Sequence, residues 1–230
     1  NELRKAVKPG AVDVNIMTKL DKTNYEKDGT PLPAEFSDAM AGLRGFATSD
    51  GVSSVVYSAG MNMRLYGYLE QFPDFYPNEN GELKKKVAIK VSDYRSAGVQ
   101  GKILAKKGLW VSEFRIESGL NCGGHAFATD GFLLGPILEE FKQKKDQLIS
   151  SAKELMFAAL TQKEFPIPEK PLDLKITVQG GVGTSEEHNF LLDHYNVSSV
   201  GWGSPFLLVP EATTLDEDTV QKLVRARAED

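Results

Sequence analysis

The chain has 230 residues and a formal net charge of −5, with 41% apolar and 26% charged residues. These values are normal for a globular chain and exclude intrinsic disorder, a collagen-like repeat and a disulfide scaffold. One cysteine allows no internal disulfide, and no apolar run approaches the roughly 20 residues of a membrane span. We therefore expect no membrane partner, no nucleic-acid partner and, because no secretory signal follows Asn1, a cytoplasmic location.

Short β-branched runs alternate along the chain with segments of helical spacing. In chain order the pattern predicts a strand at Val12–Ile16, a helix at Ala34–Ala47, strands at Ser53–Ser58 and Val87–Val91, a helix at Arg95–Lys107, a strand at Trp110–Ile116, a helix at Pro136–Leu160, a strand at Leu174–Gln179, a helix at Ser185–His194, a strand at Val197–Trp202 and a helix at Asp216–Ala228. Several strands are apolar nearly throughout, as parallel strands buried on both faces are. The alternation predicts one α/β domain over residues 1–230 with a parallel sheet, and a solvated loop end at Lys84–Lys86.

Two predicted strands near the C-terminus run into glycine-rich turns. Gly-Gly-Val-Gly follows the strand that ends at Gln179, and Gly-Trp-Gly-Ser begins at Gly201. Glycines let the backbone approach a phosphate closely, with free N–H groups pointing at it. Barrel enzymes hold phosphate between the loops after two consecutive strands. The pair predicts a shared phosphate site, and two tight strand-to-helix turns are the alternative.

A third glycine-rich loop presents a histidine. Glu117 ends the preceding strand, and Gly123, Gly124 and His125 follow after a short insertion that contains Cys122. A histidine at such a strand end can exchange protons near neutral pH, which makes His125 a candidate general base. Cys122 is a weaker candidate nucleophile, since no third residue that would orient a Cys–His pair is evident.

Further polar residues mark other strands. His188 and His194 are predicted to lie on a helix surface, and the three histidines lack metal-ligand spacing, so no metal site is predicted. Asn15 lies at the end of the first strand, and Lys90 lies in an otherwise apolar strand. A lysine there needs a partner, which is either a neighbouring acid or the negative charge of a ligand.

These elements together resemble the nitronate monooxygenase (2-nitropropane dioxygenase) family. The resemblance rests on Val-Asn-Ile at the end of the first strand, on Tyr57–Gly60 at the end of the second, on the Gly-Gly-His element and on the two glycine turns, and it runs from about Leu3 to Phe206. It implies an FMN-binding TIM (β/α)8-type barrel and an oxidoreductase or monooxygenase that acts on a small organic molecule.

The resemblance also implies roles for the matched residues. His125 would take a proton from the α-carbon of the substrate, and Asn15 and Lys90 would lie near the flavin ring. The FMN phosphate would be held by Gly180, Gly181, Gly183, Gly201, Gly203 and Ser204.

The chain departs from the family pattern at two places. Ser118–Cys122 separates Glu117 from Gly123 and makes the histidine loop longer than the family's, and Gly-Ser-Pro-Phe replaces the Gly-Thr-Arg-Phe of many members. A closed barrel needs eight βα units, so six predicted strands favour a partial barrel whose first two βα units are missing from this chain. A complete six-unit open sheet is the alternative.

Two other functions remain open from the residues. One is a phosphate-ligand barrel enzyme without redox chemistry, an aldolase or isomerase in which Lys90 forms a Schiff base. The other is a non-catalytic barrel that binds a flavin or a phosphate ligand. The sequence leaves open the substrate, the electron acceptor and whether the chain forms a homo-oligomer.

Overall fold

The structure is a computed structural model of the chain, and it describes residues 5–6, 13–117, 134–180, 182–203, 209 and 214–227. The chain divides into two compact units. Unit 1 comprises Asn1–Phe114 and Lys144–Lys175, and unit 2 comprises Arg115–Gln143 and Ile176–Asp230. In the part of the chain described, no helix is both long and apolar enough to cross a membrane.

Six strands form where the sequence predicts them, with ends shifted by a few residues. They are β1 (Val14–Met17), β2 (Ser53–Ser58), β3 (Lys85–Val91), β4 (Val111–Ile116), β5 (Lys175–Gln179) and β6 (Ser199–Gly201). Pairing is parallel between β1 and β2, between β2 and β3, and between β5 and β6. The strand order is β1-β2-β3-β4-β5-β6, which confirms the α/β class with a parallel sheet. Within the described residues this order is open, so a closed barrel stays a prediction.

The helices agree with the predictions less closely. They are α1 (Asp38–Thr48), α2 (Met63–Tyr68), α3 (Tyr94–Ala105), α4 (Leu134–Gln162), α5 (Ser185–Tyr195) and α6 (Glu217–Arg225). Helix α1 begins four residues later than predicted, because Ala34–Phe36 forms a 3-10 turn and Ser37 then caps the helix by accepting from the Met40 amide. Helix α2 was not predicted. Its six residues are too few to show a period, and Asn62 caps it through the amides of Arg64 and Leu65.

The core of unit 1 covers both faces of β1 to β3, since Val56 and Ala88 on one face are at most 1% exposed and a second buried row lies on the other. Ile16, Tyr57 and Ile89 are in register across the three strands and are at most 4% exposed. Gly101 on α3 lets the Phe114 ring approach closely, since a Cβ there would lie 3.2 Å from Phe114 Cζ. The alternation of side chains along each strand therefore sends the opposite row, which includes Asn15, to the other face.

The prediction of a solvated loop end at Lys84–Lys86 was wrong for Lys85. This residue begins β3 and is fully buried. Its ammonium donates to Ser49 Oγ at 3.0 Å and lies 4.6 Å from the centre of the Phe46 ring. A long aliphatic stem lets lysine bury most of its surface while the charge finds polar and aromatic partners.

In unit 2, β5, α5 and β6 form a βαβ segment with a well-defined register. Gln179 lies beside Gly201, so the ends of the two strands are level. Thr184 and Glu187 cap the start of α5 reciprocally, and Asn196 ends the helix in the left-handed conformation at φ +54°. This segment carries both glycine turns.

Candidate functional site

The two glycine turns are neighbours at the carboxyl ends of β5 and β6. The Gly180 amide donates to the Gly201 carbonyl at 3.0 Å. Gly180 has a φ of +80°, a left-handed conformation in which glycine is favoured because it has no Cβ. The turns are thus joined by backbone bonding, and we call Gly180, Gly183, Thr184, Gly201 and Gly203 the glycine cradle.

The amides at the start of α5 hold an anionic oxygen. Oε2 of Glu187 accepts from the Gly183 amide at 2.8 Å and from the Thr184 amide at 3.1 Å. The bond from the Gly183 backbone, followed by that from Thr184, holds the pKa of Glu187 below its usual range. The first turn of a helix favours negative charge, and here a carboxylate of the chain itself supplies it.

A second contact ties α5 to the turn after β6. The indole Nε1–H of Trp202 donates to Nδ1 of His188 at 2.8 Å, and the ring centres are 5.9 Å apart. His188 is half-buried, so the prediction of a plain surface position was wrong. His194, by contrast, is exposed as predicted and stacks on Phe190. Trp202, the hydrogen-bond partner of His188, is 14 residues away in the sequence. No local sequence pattern predicts this hydrogen bond.

In unit 1, polar groups lie together at the carboxyl ends of β1 to β3. Ser58 Oγ donates to Asn15 Oδ1 at 2.7 Å. Asn15 pairs with Val56, and Val56 pairs with Ala88. Ser58 and Lys90 follow these partners by two residues, so alternation sends them to the same face as Asn15. Lys90 is half-buried and engaged by another group, which agrees with the expectation that it has a partner.

A buried acid fixes the loops after β1 and β2. Asp21 accepts from Arg64 at 2.6 and 2.8 Å, from Asn62 at 2.8 Å and from Ser37 at 2.8 Å. Burial alone would raise the pKa of Asp21, but the hydrogen bonds and the charge of Arg64 outweigh it and lower that pKa. Sequence reasoning missed this network, because Arg64 and Asp21 are 43 residues apart.

The same edge of unit 1 holds a strained residue. Ala59 follows β2 at φ +64°, a conformation that side chains other than glycine rarely adopt. Its carbonyl accepts from Thr18 Oγ1 at 3.1 Å, which ties it to the end of β1. Strain of this kind persists where surrounding contacts hold it.

A cavity of about 360 Å³ lies at the opposite ends of the strands of unit 1. Its lining includes Asp13, Ser54, Lys86 and Glu113. Ligands of parallel sheets bind at the carboxyl ends of the strands, so its position does not fit the predicted site.

Several site residues named from the sequence lie outside the described residues. They are Cys122, Gly123, Gly124, His125, Gly181 and Ser204. Their roles stay predictions.

A scan of the chain against protein-family models found no match, and a search of curated proteins also found none. The case for any function therefore depends on the geometry of this chain.

Proposed function

We propose that this chain is an FMN-dependent oxidoreductase of the nitronate monooxygenase type, built as a partial (β/α)8-type barrel. Its substrate is a small organic molecule with an acidic C–H bond. The observation that carries the proposal is the glycine cradle, where two hydrogen-bonded turns lie beside amides of Gly183 and Thr184 that hold an anionic oxygen.

The strand order supports the barrel. Each strand stands next to its successor in the chain, without the reversal that creates a switch point in doubly wound sheets. A (β/α)8 barrel has this sequential order.

The cradle fits the phosphate of FMN. A phosphate monoester carries up to two negative charges and three acceptor oxygens, and the start of α5 offers backbone donors with the positive end of the helix dipole. The left-handed φ of Gly180 brings its backbone to the Gly201 turn without a side chain in between. When bound, FMN supplies the electron-accepting centre that no amino-acid side chain provides.

The remaining roles follow from the resemblance. Asn15 and Lys90 would lie near the flavin ring, and His125 would take a proton from the α-carbon of the substrate. A neutral imidazole suits this step, because its proton affinity is matched to neutral pH.

Binding of phosphate requires Glu187 to leave the amides that it occupies. The side chain is exposed, so it can turn into solvent without breaking core packing. Substitution of Glu187 by Gln replaces a charged acceptor by a weaker neutral one and removes a negative charge that repels phosphate. We therefore expect FMN to bind Glu187→Gln at least about threefold more tightly than wild type.

A neighbouring residue provides a matched control. Glu186 makes its hydrogen bond with the Ser185 hydroxyl and none with the cradle amides. Glu186→Gln removes the same charge at nearly the same place and should leave FMN affinity within about twofold of wild type, as exposed charges are screened. Riboflavin, which lacks the phosphate, should bind both variants as it binds wild type. Equal FMN affinities in the two variants would contradict the assignment of the phosphate.

The ligand itself is the first thing to identify. The visible spectrum of the purified chain and the mass of the released ligand should show stoichiometric FMN. Small neutral nitroalkanes, which still carry the acidic α-proton, are the substrate probes, with oxygen consumption as the readout. His125→Asn should retain FMN and lose turnover, whereas His194→Asn should keep both. A chain that stays colourless after FMN titration would overturn the proposal and favour the aldolase alternative, which borohydride trapping on Lys90 would test.

A further inference from the structure

The contact between His188 and Trp202 joins the two sides of the glycine cradle. We infer that these two side chains are positioning residues for the phosphate of the cofactor, a role that no sequence motif of the chain suggested. The inference rests on the proposed function, because it assigns the contact to the binding of the same phosphate.

His188 belongs to the turn of α5 that presents the cradle amides. Its own amide donates to the Thr184 carbonyl at 3.1 Å, within the first turn of the helix. The imidazole Nδ1 accepts the indole N–H, so a neutral ring carries its proton on Nε2. The acceptor is thus fixed on the same rigid turn as the amides of Gly183 and Thr184.

Trp202 is the one side chain between the two glycines of the second turn. Among the described residues, a Cβ at Gly203 would meet nothing within 4 Å, and one at Gly201 would make only ordinary contacts, the nearest at 3.5 Å from the Val178 carbonyl. Steric packing against the described residues therefore restrains this turn little. The indole anchors this turn to α5, and loss of the contact would leave more of the turn to be ordered when phosphate binds.

The test compares FMN with riboflavin, which differ only in the phosphate. His188→Ala and Trp202→Phe each remove the hydrogen bond. Each should weaken FMN binding by about three- to tenfold, the effect of one lost hydrogen bond, while riboflavin affinity changes less than about twofold. The double variant should lose little more than either single variant, because both act through one contact.

Two further histidine variants make the test specific. Asn at position 188 places Oδ1 near the position of the imidazole Nδ1 and keeps the acceptor, so His188→Asn should restore most of the FMN affinity. His194→Ala removes an exposed histidine from the last turn of the same helix and should change nothing. An equal loss for FMN and riboflavin, or no loss for FMN, would overturn the positioning role.

The contact can be observed without any ligand. The chain has two tryptophans, and the indole of Trp110 donates to the Asp173 carbonyl instead. In a proton–nitrogen correlation spectrum, the indole signal that is absent from Trp202→Phe should shift in His188→Ala and shift less in His188→Asn. An unshifted signal would show that the indole of Trp202 does not bond to His188, and this would overturn the inference. A wild type that binds FMN no better than riboflavin would overturn the proposed function and with it the positioning role, even where the signal shifts.

Discussion

Replacement of Gly180 by Ala tests whether the cradle needs its left-handed turn. The φ of +80° costs an L-residue roughly 1–2 kcal/mol relative to glycine. Alanine also restricts the unfolded chain, which returns about 0.4–1 kcal/mol. We therefore expect the free energy of unfolding to fall by about 1 kcal/mol.

The same strain should weaken the cradle. If the variant relieves the strain by moving the Gly180 amide away from the Gly201 carbonyl, FMN affinity falls by about fivefold, the equilibrium equivalent of about 1 kcal/mol. Urea unfolding gives the stability, and fluorescence titration with FMN gives the affinity.

Gly203→Ala is the matched control for stability. Gly203 lies outside the left-handed region, and an added Cβ would meet no atom of the described residues within 4 Å. Its free energy of unfolding should rise by about 0.4–1 kcal/mol relative to wild type, because alanine restricts the unfolded chain and meets no left-handed strain at this position. A Gly180→Ala variant as stable as Gly203→Ala would refute the reasoning from backbone conformation.

Three other changes test the scaffold by urea unfolding. Ala59→Gly should stabilise the protein by about 0.5 kcal/mol, because relief of the left-handed strain exceeds the added chain entropy, and a loss would contradict that. Lys85→Met should stay within about 1 kcal/mol of wild type, whereas Lys85→Ala, which leaves a cavity, should cost about 2–4 kcal/mol. Asp21→Asn should cost about 1 kcal/mol at neutral pH. Because the pKa of Asp21 is lowered in the folded chain, the stability difference between wild type and Asp21→Asn should shrink as the pH falls below about 4. A stability difference that persists in acid would contradict this prediction.

The sheet could be predicted from the sequence because its signal is local. β-branched runs such as Ser53–Ser58 are buried on both faces and stand out against their polar surroundings. The glycine turns were found for the same reason, since a glycine run after a strand lies within a few residues of sequence. Their adjacency followed from the rule that consecutive parallel strands end at the same edge, and the Gly180–Gly201 bond agrees with it.

What the sequence did not reveal depends on partners distant in the chain. Arg64 and Asp21 are 43 residues apart, and neither belongs to a motif. The burial of Lys85 depends on Ser49, 36 residues earlier, and a basic run is more often a solvated loop. The chain has no local pattern for such pairs, because the geometry that joins them exists only after the sheet has formed.

In the glycine cradle, the carboxylate of Glu187 occupies the backbone amides that a ligand anion would bind. A capping box satisfies the first amides of a helix by means of the chain's own acid, and Glu187 does this at α5. A glycine-rich turn with such a cap can therefore be a plain helix start or the resting form of an anion site, and sequence alone cannot separate the two. The second glycine turn favours the anion site. A helix cap needs no partner strand, whereas Gly201 and Trp202 bring β6 against the same turn of α5. An anion site predicts that the chain binds FMN more tightly than riboflavin. It also predicts that FMN affinity changes in Glu187→Gln but not in Glu186→Gln. A simple helix cap predicts neither result.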